Sequence, residues 1–202
     1  MNSVMRIPLD TNPEQLARLV SLQDAFTTVC NAMAPTVQKS RCWNRVALHH
    51  MVYKSLREQF PALGSQMVCN AIYLVSRTSR LLFQHPQSPL NLSKLGDKPL
   101  PLLHFAANCP VYFDRHTLSV KDGQLSLFTL DGRMRFQLAL GPQDEAAFRH
   151  KKLREIVLAR AADHLFELCF TFLEEGDDAA AEQSADEHQG EIPEYVMVGE
   201  LE

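Results

Sequence analysis

The chain has 202 residues, 46% hydrophobic and 22% charged, a length that suits one large domain or two small ones around a buried core. No apolar run approaches the roughly 18 residues of a membrane helix. The start MNSVMRIPLD has no signal-peptide pattern, so the expectation is a cytoplasmic protein with no membrane partner. The net charge of −4 is unevenly spread. Residues 174–202 hold 11 of the 24 acidic residues and no Lys or Arg, which leaves 20 basic and 13 acidic residues before them, a net of +7. A basic body of this kind attracts phosphate. The acidic tail is expected to be solvated and disordered. The five cysteines, Cys30, Cys42, Cys69, Cys109 and Cys169, are odd in number and widely spaced, with no CxxC. That pattern speaks against disulfides and against a zinc site, and favours buried small apolar side chains.

In chain order, SVMRIPL over 3–9 reads as a short strand that Pro8 confines to an edge. TNPEQ then opens a helix: Thr11 or Asn12 can cap, Pro13 suits the first turn, and Glu14 and Gln15 complement free amides. Leu16, Leu19, Val20, Phe26, Val29 and Cys30 recur at helical spacing to about Ala34. A second helix is predicted over 40–59, with Leu48, Met51, Val52, Leu56 and Phe60 as its apolar stripe. Pro61 and Gly64 break the chain, and Ser65 is a candidate cap for a third helix to Phe83. Five prolines within 84–110 make that stretch an extended connector with at most a short helical piece. The pairs Asp122-Gly123 and Asp131-Gly132 separate segments with strand composition, which predicts strands over 117–121, 124–130 and 133–140. Residues 143–173 read either as one long helix or as a short helix followed by strands over 155–160 and 164–173. Phe166, Phe170, Thr171 and Phe172 favour the strands.

A first strand, TNPEQ, CNAMA, the LHH-Y-LR-F-SQ-AI hairpin, then D-R-TLS and LSLFTLDGR follow one another in an order that resembles the N-terminal half of TnpB, the transposon-encoded RNA-guided nuclease. The same half occurs in compact type V CRISPR effectors, and the likeness spans about residues 4–173. The resemblance implies an α+β fold: an antiparallel, wedge-like β-barrel from residues 1–10 and 110–173, and an inserted helical recognition domain of about three helices over 11–83. A connector over 84–109 and the tail over 174–202 complete this division. It also implies the strand reading of 155–173. Its partners would be guide RNA and target DNA, with sequence read by base pairing while the protein grips backbone and shape.

The family's nuclease begins with a metal-binding aspartate beyond the wedge, and only Glu200 falls near that position. Cleavage by two metals needs several converging carboxylates. The expectation is therefore a subunit that is not an enzyme and holds no cofactor. Catalysis would come from a separate RuvC-containing chain or a related full-length effector. An alternative is a protein-interaction module that docks on such an effector and regulates it, its tail covering a basic groove.

Candidate contacts follow from residue chemistry. Asn70, Tyr73, Arg77 and Arg80 fall on one helix stripe, joined by Tyr53 and Arg57 from the helix before. Tyr stacks on bases, Asn pairs with base edges and Arg holds phosphate with planar donors. On the wedge, Arg115, Lys121, Arg133 and Arg135 form one basic set, and Lys151, Lys152 and Arg154 a second. The adjacent His49 and His50 point about 100° apart on a helix and are read as structural. No Walker loop, GxGxxG, HExxH or G-x-S-x-G occurs.

Overall fold

A computed structural model describes residues 3–173 and 190–199. It divides into two compact units. One takes the chain up to Asp24 together with the segment that starts at Pro110, and carries most of the strands. The other takes Ala25–Cys109 and the described part of the tail. The long helix α1 (Pro13–Ser40) contributes residues to both, so the unit boundary lies inside it and not at its start.

In the sheet unit, β1 (Ser3–Pro8) pairs antiparallel with β8 (Phe166–Leu173). β8 pairs with β7 (Lys152–Arg160), and β7 with β3 (Val111–Phe113). The register aligns Met5 with Phe170 and Ile7 with Leu168 on one side, and Ile156 and Leu158 with the same two residues on the other. Alternation along FELCFTFL buries Phe166, Leu168, Phe170 and Phe172, and this period of two is why the segment is a strand. The short helix α5 (Pro142–His150) sets Phe148 edge-on against Phe170 and Phe172, at 5.0 and 5.3 Å between ring centroids.

A second antiparallel sheet joins β4 (Leu118–Lys121), β5 (Gln124–Thr129) and β6 (Gly132–Gln137). Leu118, Leu127 and Met134 line up across it, as do Leu125 and Phe136, and all five are buried. The two Asp-Gly pairs make different turns. Asp122 and Gly123 both have positive φ, 51° and 74°, as a primed two-residue hairpin requires. At the second only Gly132 is left-handed, at 97°. Arg18 of α1 reinforces this second turn, its Nη2 donating to Thr129 Oγ1 at 2.7 Å and reaching the Asp131 carbonyl at 3.3 Å.

In the helical unit, α2 (Arg45–Gln59) and α3 (Ser65–Gln84) form a hairpin. α3 is buried nearly all round: Met67, Val68, Ala71, Ile72, Leu74, Val75, Leu82 and Phe83 are core, and Ser76, Thr78 and Ser79 are buried with them. Ser76 Oγ donates to the Trp43 carbonyl at 2.5 Å, and Trp43 packs on Phe83 at 5.2 Å. Within the former connector lie a single helical turn, α4 (Leu92–Leu95), and strand β2 (Leu103–Phe105). β2 pairs antiparallel with β9 (Val196–Val198), from the acidic tail. Asn31 of α1 completes the bonding of β2: its Oδ1 accepts from Phe105 N at 2.7 Å and its Nδ2 donates to Phe105 O at 2.9 Å. Tyr195 stacks on Phe105 at 6.4 Å, with its hydroxyl 3.2 Å from Thr78 Oγ1.

Among the described residues the fold is α+β with five helices and antiparallel sheets, and of the two readings of 143–173 the short helix followed by two strands holds, with the strands at Lys152–Arg160 and Phe166–Leu173. Several expectations need correction. The sheets have four and three strands with no shared ladder, so the expected barrel is not closed among the described residues. α1 passes through Pro35 to Ser40, because buried Met33, Ala34 and Val37 hold its last turns in place. α2 starts at Arg45, where Asn44 Oδ1 accepts from the amides of Val46 and Ala47. Its buried stripe is Leu48, Val52 and Leu56, and Met51 is exposed. The cap of α3 is Gly64, at φ 80°, not Ser65. Within the tail, residues 190–199 are described, with Val196 buried and Tyr195 half-buried, and Val196–Val198 form a strand. Residues 174–189 and Glu200 lie outside the described residues.

Two stability predictions follow. Asn31→Ala removes both side-chain bonds to Phe105 and should destabilise the chain by about 1–3 kcal/mol in denaturant titration. Burial pushes the Tyr195 hydroxyl from 10.0 up to about 12, and the Thr78 hydrogen bond opposes the shift. The protonated form is therefore favoured on folding. Its contribution is complete below about pH 10 and is lost as pH rises through about 12, with about 1.4 kcal/mol gone at pH 11. Tyr195→Phe should flatten this alkaline decline, as read from unfolding free energies at pH 9 and 11.

Candidate functional site

Two surfaces gather the candidate residues, one in each unit. The first is the α2–α3 hairpin. With α3 so deeply buried, most of the residues it leaves accessible between its ends fall on one stripe: Gln66, Cys69, Tyr73, Arg77 and Arg80. Asn70 lies one position off that stripe and is only 7% exposed, its Nδ2 nearest Met67 Sδ at 3.8 Å. It cannot reach a base edge, and the amide expected there is a core residue. Along α2, Arg45, His49, Tyr53 and Arg57 recur every fourth residue and so form a single ridge. The two lines meet across the hairpin. The Arg45 guanidinium lies 5.1 Å from the Tyr73 ring centre. His49 Nε2 is 3.8 Å from Cys69 Sγ. His49 also stacks on Tyr53, at 4.5 Å and 16° between planes. Each tyrosine thus has one ring face already covered. Arg57 is half-buried, its Nη1 enclosed with no hydrogen-bond partner among the described residues, whereas Arg80 is exposed.

The second surface is the outer face of the three-stranded sheet. The register that buries Leu118, Leu125, Leu127, Met134 and Phe136 turns Ser119, Lys121, Gln124, Ser126, Arg133, Arg135 and Gln137 to the opposite side. No carboxylate stands among these strand positions. Lys121 and Arg135 are exposed. Arg133 is not a free cation: its Nε donates to Ser126 Oγ at 2.8 Å, its Nη2 to Ser126 O at 3.0 Å, and its Nη1 reaches His116 O at 3.4 Å. The guanidinium lies along the neighbouring strand and ties it to the turn below. In that turn, Asp114 Oδ1 accepts from the amides of His116 and Thr117, which leaves Arg115 exposed beside the sheet.

The second basic set sits at the start of β7, in the other sheet. Lys151 caps α5 and its Nζ approaches Ser3 Oγ at 3.2 Å. Lys152 is exposed, and Arg154 occupies a β-bulge between Leu153 and Glu155, a kink that re-aims its side chain. The register does not place these three on the strands of Lys121 and Arg135.

Sequence reasoning missed Arg45, His49 and Cys69 as parts of one groove. The four-residue spacing of Arg45, His49, Tyr53 and Arg57 is a legible signal for the ridge. Its pairing with Cys69 and Tyr73 depends on how two antiparallel helices meet. Among the described residues, no group of three or more His, Cys, Asp or Glu is placed to hold a metal ion, and no helix is long and apolar enough to cross a membrane. No protein-family model matches the chain, and no curated protein matches its sequence.

The two arginines of β6 should behave differently on truncation. Arg133→Ala should cost about 1–2 kcal/mol of stability, because it removes two bonds to Ser126 on the neighbouring strand and one to the His116 carbonyl in the turn. Arg135→Ala should stay within about 0.5 kcal/mol of the parent. Urea unfolding of the two variants side by side measures this.

Proposed function

We propose that the chain is a nucleic-acid-binding subunit of an RNA-guided, TnpB-like or type V CRISPR-like system. It holds guide RNA and contacts target-adjacent DNA, and the cutting carboxylates are supplied by another chain. The observation that carries this reading is the outer face of the three-stranded sheet. There Lys121 and Arg135 stand exposed among serines, glutamines and the half-buried Phe128 with no strand carboxylate beside them, and Arg115 is exposed in the turn before the sheet. Such a face attracts a phosphate backbone without reading its sequence. In this reading the four- and three-stranded sheets are the two halves of a wedge-like barrel, and the α2–α3 hairpin is the recognition element. The pairing of β1 with β8 supports it, because the first strand and the segment beyond residue 110 share a sheet, with the helices inserted between them.

The test is binding of the full chain to a labelled structured RNA from its own locus across a salt series. Affinity should fall steeply with salt. Lys121→Glu with Arg135→Glu should weaken binding by at least about tenfold and lower the salt slope by about 1.4–1.8. Equal binding by parent and variant removes the sheet face from the reading. Absence of RNA binding, with a protein complex that survives nuclease, replaces it with a docking module.

A further inference from the structure

All five cysteines are thiols, held in different environments. Cys30 and Cys109 are buried, and burial pushes the Cys30 thiol up, with Cys109 beside it adding to the shift. Cys169 on β8 is half-buried; burial raises its thiol, the Arg6 guanidinium at 3.3 Å opposes this, and Glu167 and Glu155 reinforce it. Cys42 is half-buried just past the end of α1, its amide bonded to Ser40 Oγ at 3.3 Å. Cys69 differs from all four. Its Sγ lies 3.8 Å from His49 Nε2, a base within reach of the thiol proton. Both line an open cleft of about 440 Å3 with Arg45, Val46, Gln66 and Ile72, which contains a cation and no carboxylate. The stack on Tyr53 fixes the plane of the His49 ring.

We propose that Cys69 is a reactive thiol with His49 as its base, a modification site for small anionic disulfides that enter this cleft. A nucleophile, a base within proton-transfer reach and a group that orients the base are the parts an activated thiol requires. His49 Nε2 takes the Sγ proton, and the Cys69 thiolate attacks one sulfur of the incoming disulfide. The S–S bond of the reagent breaks, its second half departs as a thiolate, and His49 returns its proton to that thiolate when it is basic enough and otherwise to solvent. One disulfide is exchanged for another, with no external oxidant. Arg45 at the rim favours an anionic reagent, and Val46 and Ile72 accommodate its carbon frame. The resulting adduct occupies the groove beside Arg45. This site does not depend on the nucleic-acid reading.

The experiment treats the native full chain with dithiobis(nitrobenzoic acid), an anionic disulfide, and follows the released thiolate by absorbance. The adduct formed in the fast phase is mapped by peptide mass spectrometry. One thiol should react ahead of the others and map to Cys69. Cys69→Ser should abolish the fast phase. His49→Ala should slow it by at least about tenfold, and added imidazole should restore much of the rate. Thermal unfolding confirms that both variants fold. A fast adduct on Cys42 or Cys169, a fast phase that survives Cys69→Ser, or an unchanged rate in His49→Ala overturns the proposal. The mapping is done on the unmodified sequence, so it decides the matter even if a variant misfolds.

Discussion

The structure depends on one long-range pairing, that of the first strand with β8. Six consecutive residue pairs, from Ser3↔Phe172 to Pro8↔Glu167, bring the start of the chain against a segment some 160 positions later. The stretch Ala25–Cys109 thereby falls, in sequence, between two parts of one sheet unit. The pairing holds because Met5 and Ile7 complete an apolar face that Leu168, Phe170, Ile156 and Leu158 begin. A shift of one residue would turn Arg6 inward and Met5 outward. Pro8 closes the paired stretch, and just past it Leu9 N still donates to Phe166 O at 2.9 Å.

A second closure of the same kind organises the helical unit. β2 is only three residues long and would be marginal alone. It is held on one side by β9 and on the other by the Asn31 side chain, whose amide supplies the donor and acceptor that a neighbouring strand would offer. Tyr195 then locks the returning segment by stacking on Phe105 and placing its hydroxyl beside Thr78. A segment whose composition is that of a solvated tail thus contains a structural staple.

Local signals were legible in the sequence and distant ones were not. The cap of α1 could be read from TNPEQ, where the Asn12 and Gln15 side chains bond each other's backbone amides at 2.8 and 3.0 Å. Both Asp-Gly turns could be read as well, because glycine at positive φ is a requirement of a single position. Strand β9 could not be, since VMV within an acidic stretch is too short to signal pairing with LHF nearly a hundred residues earlier. The site divides along the same line. Lys121 and Arg135 follow from alternation around known turns. Asn70 misled because offsets of three and seven mark a stripe only where the helix has one buried side, and α3 is enclosed on nearly every side. Arg133 was readable as a cation, but its bonds to Ser126 depend on strand register.

The proposed function puts a polyanion on the outer face of the three-stranded sheet. Photocrosslinking of bound RNA to the full chain, with the attached peptides identified by mass spectrometry, tests it most directly. The account predicts crosslinked peptides within Arg115 to Gln137. RNA that binds and crosslinks only outside that segment would contradict it.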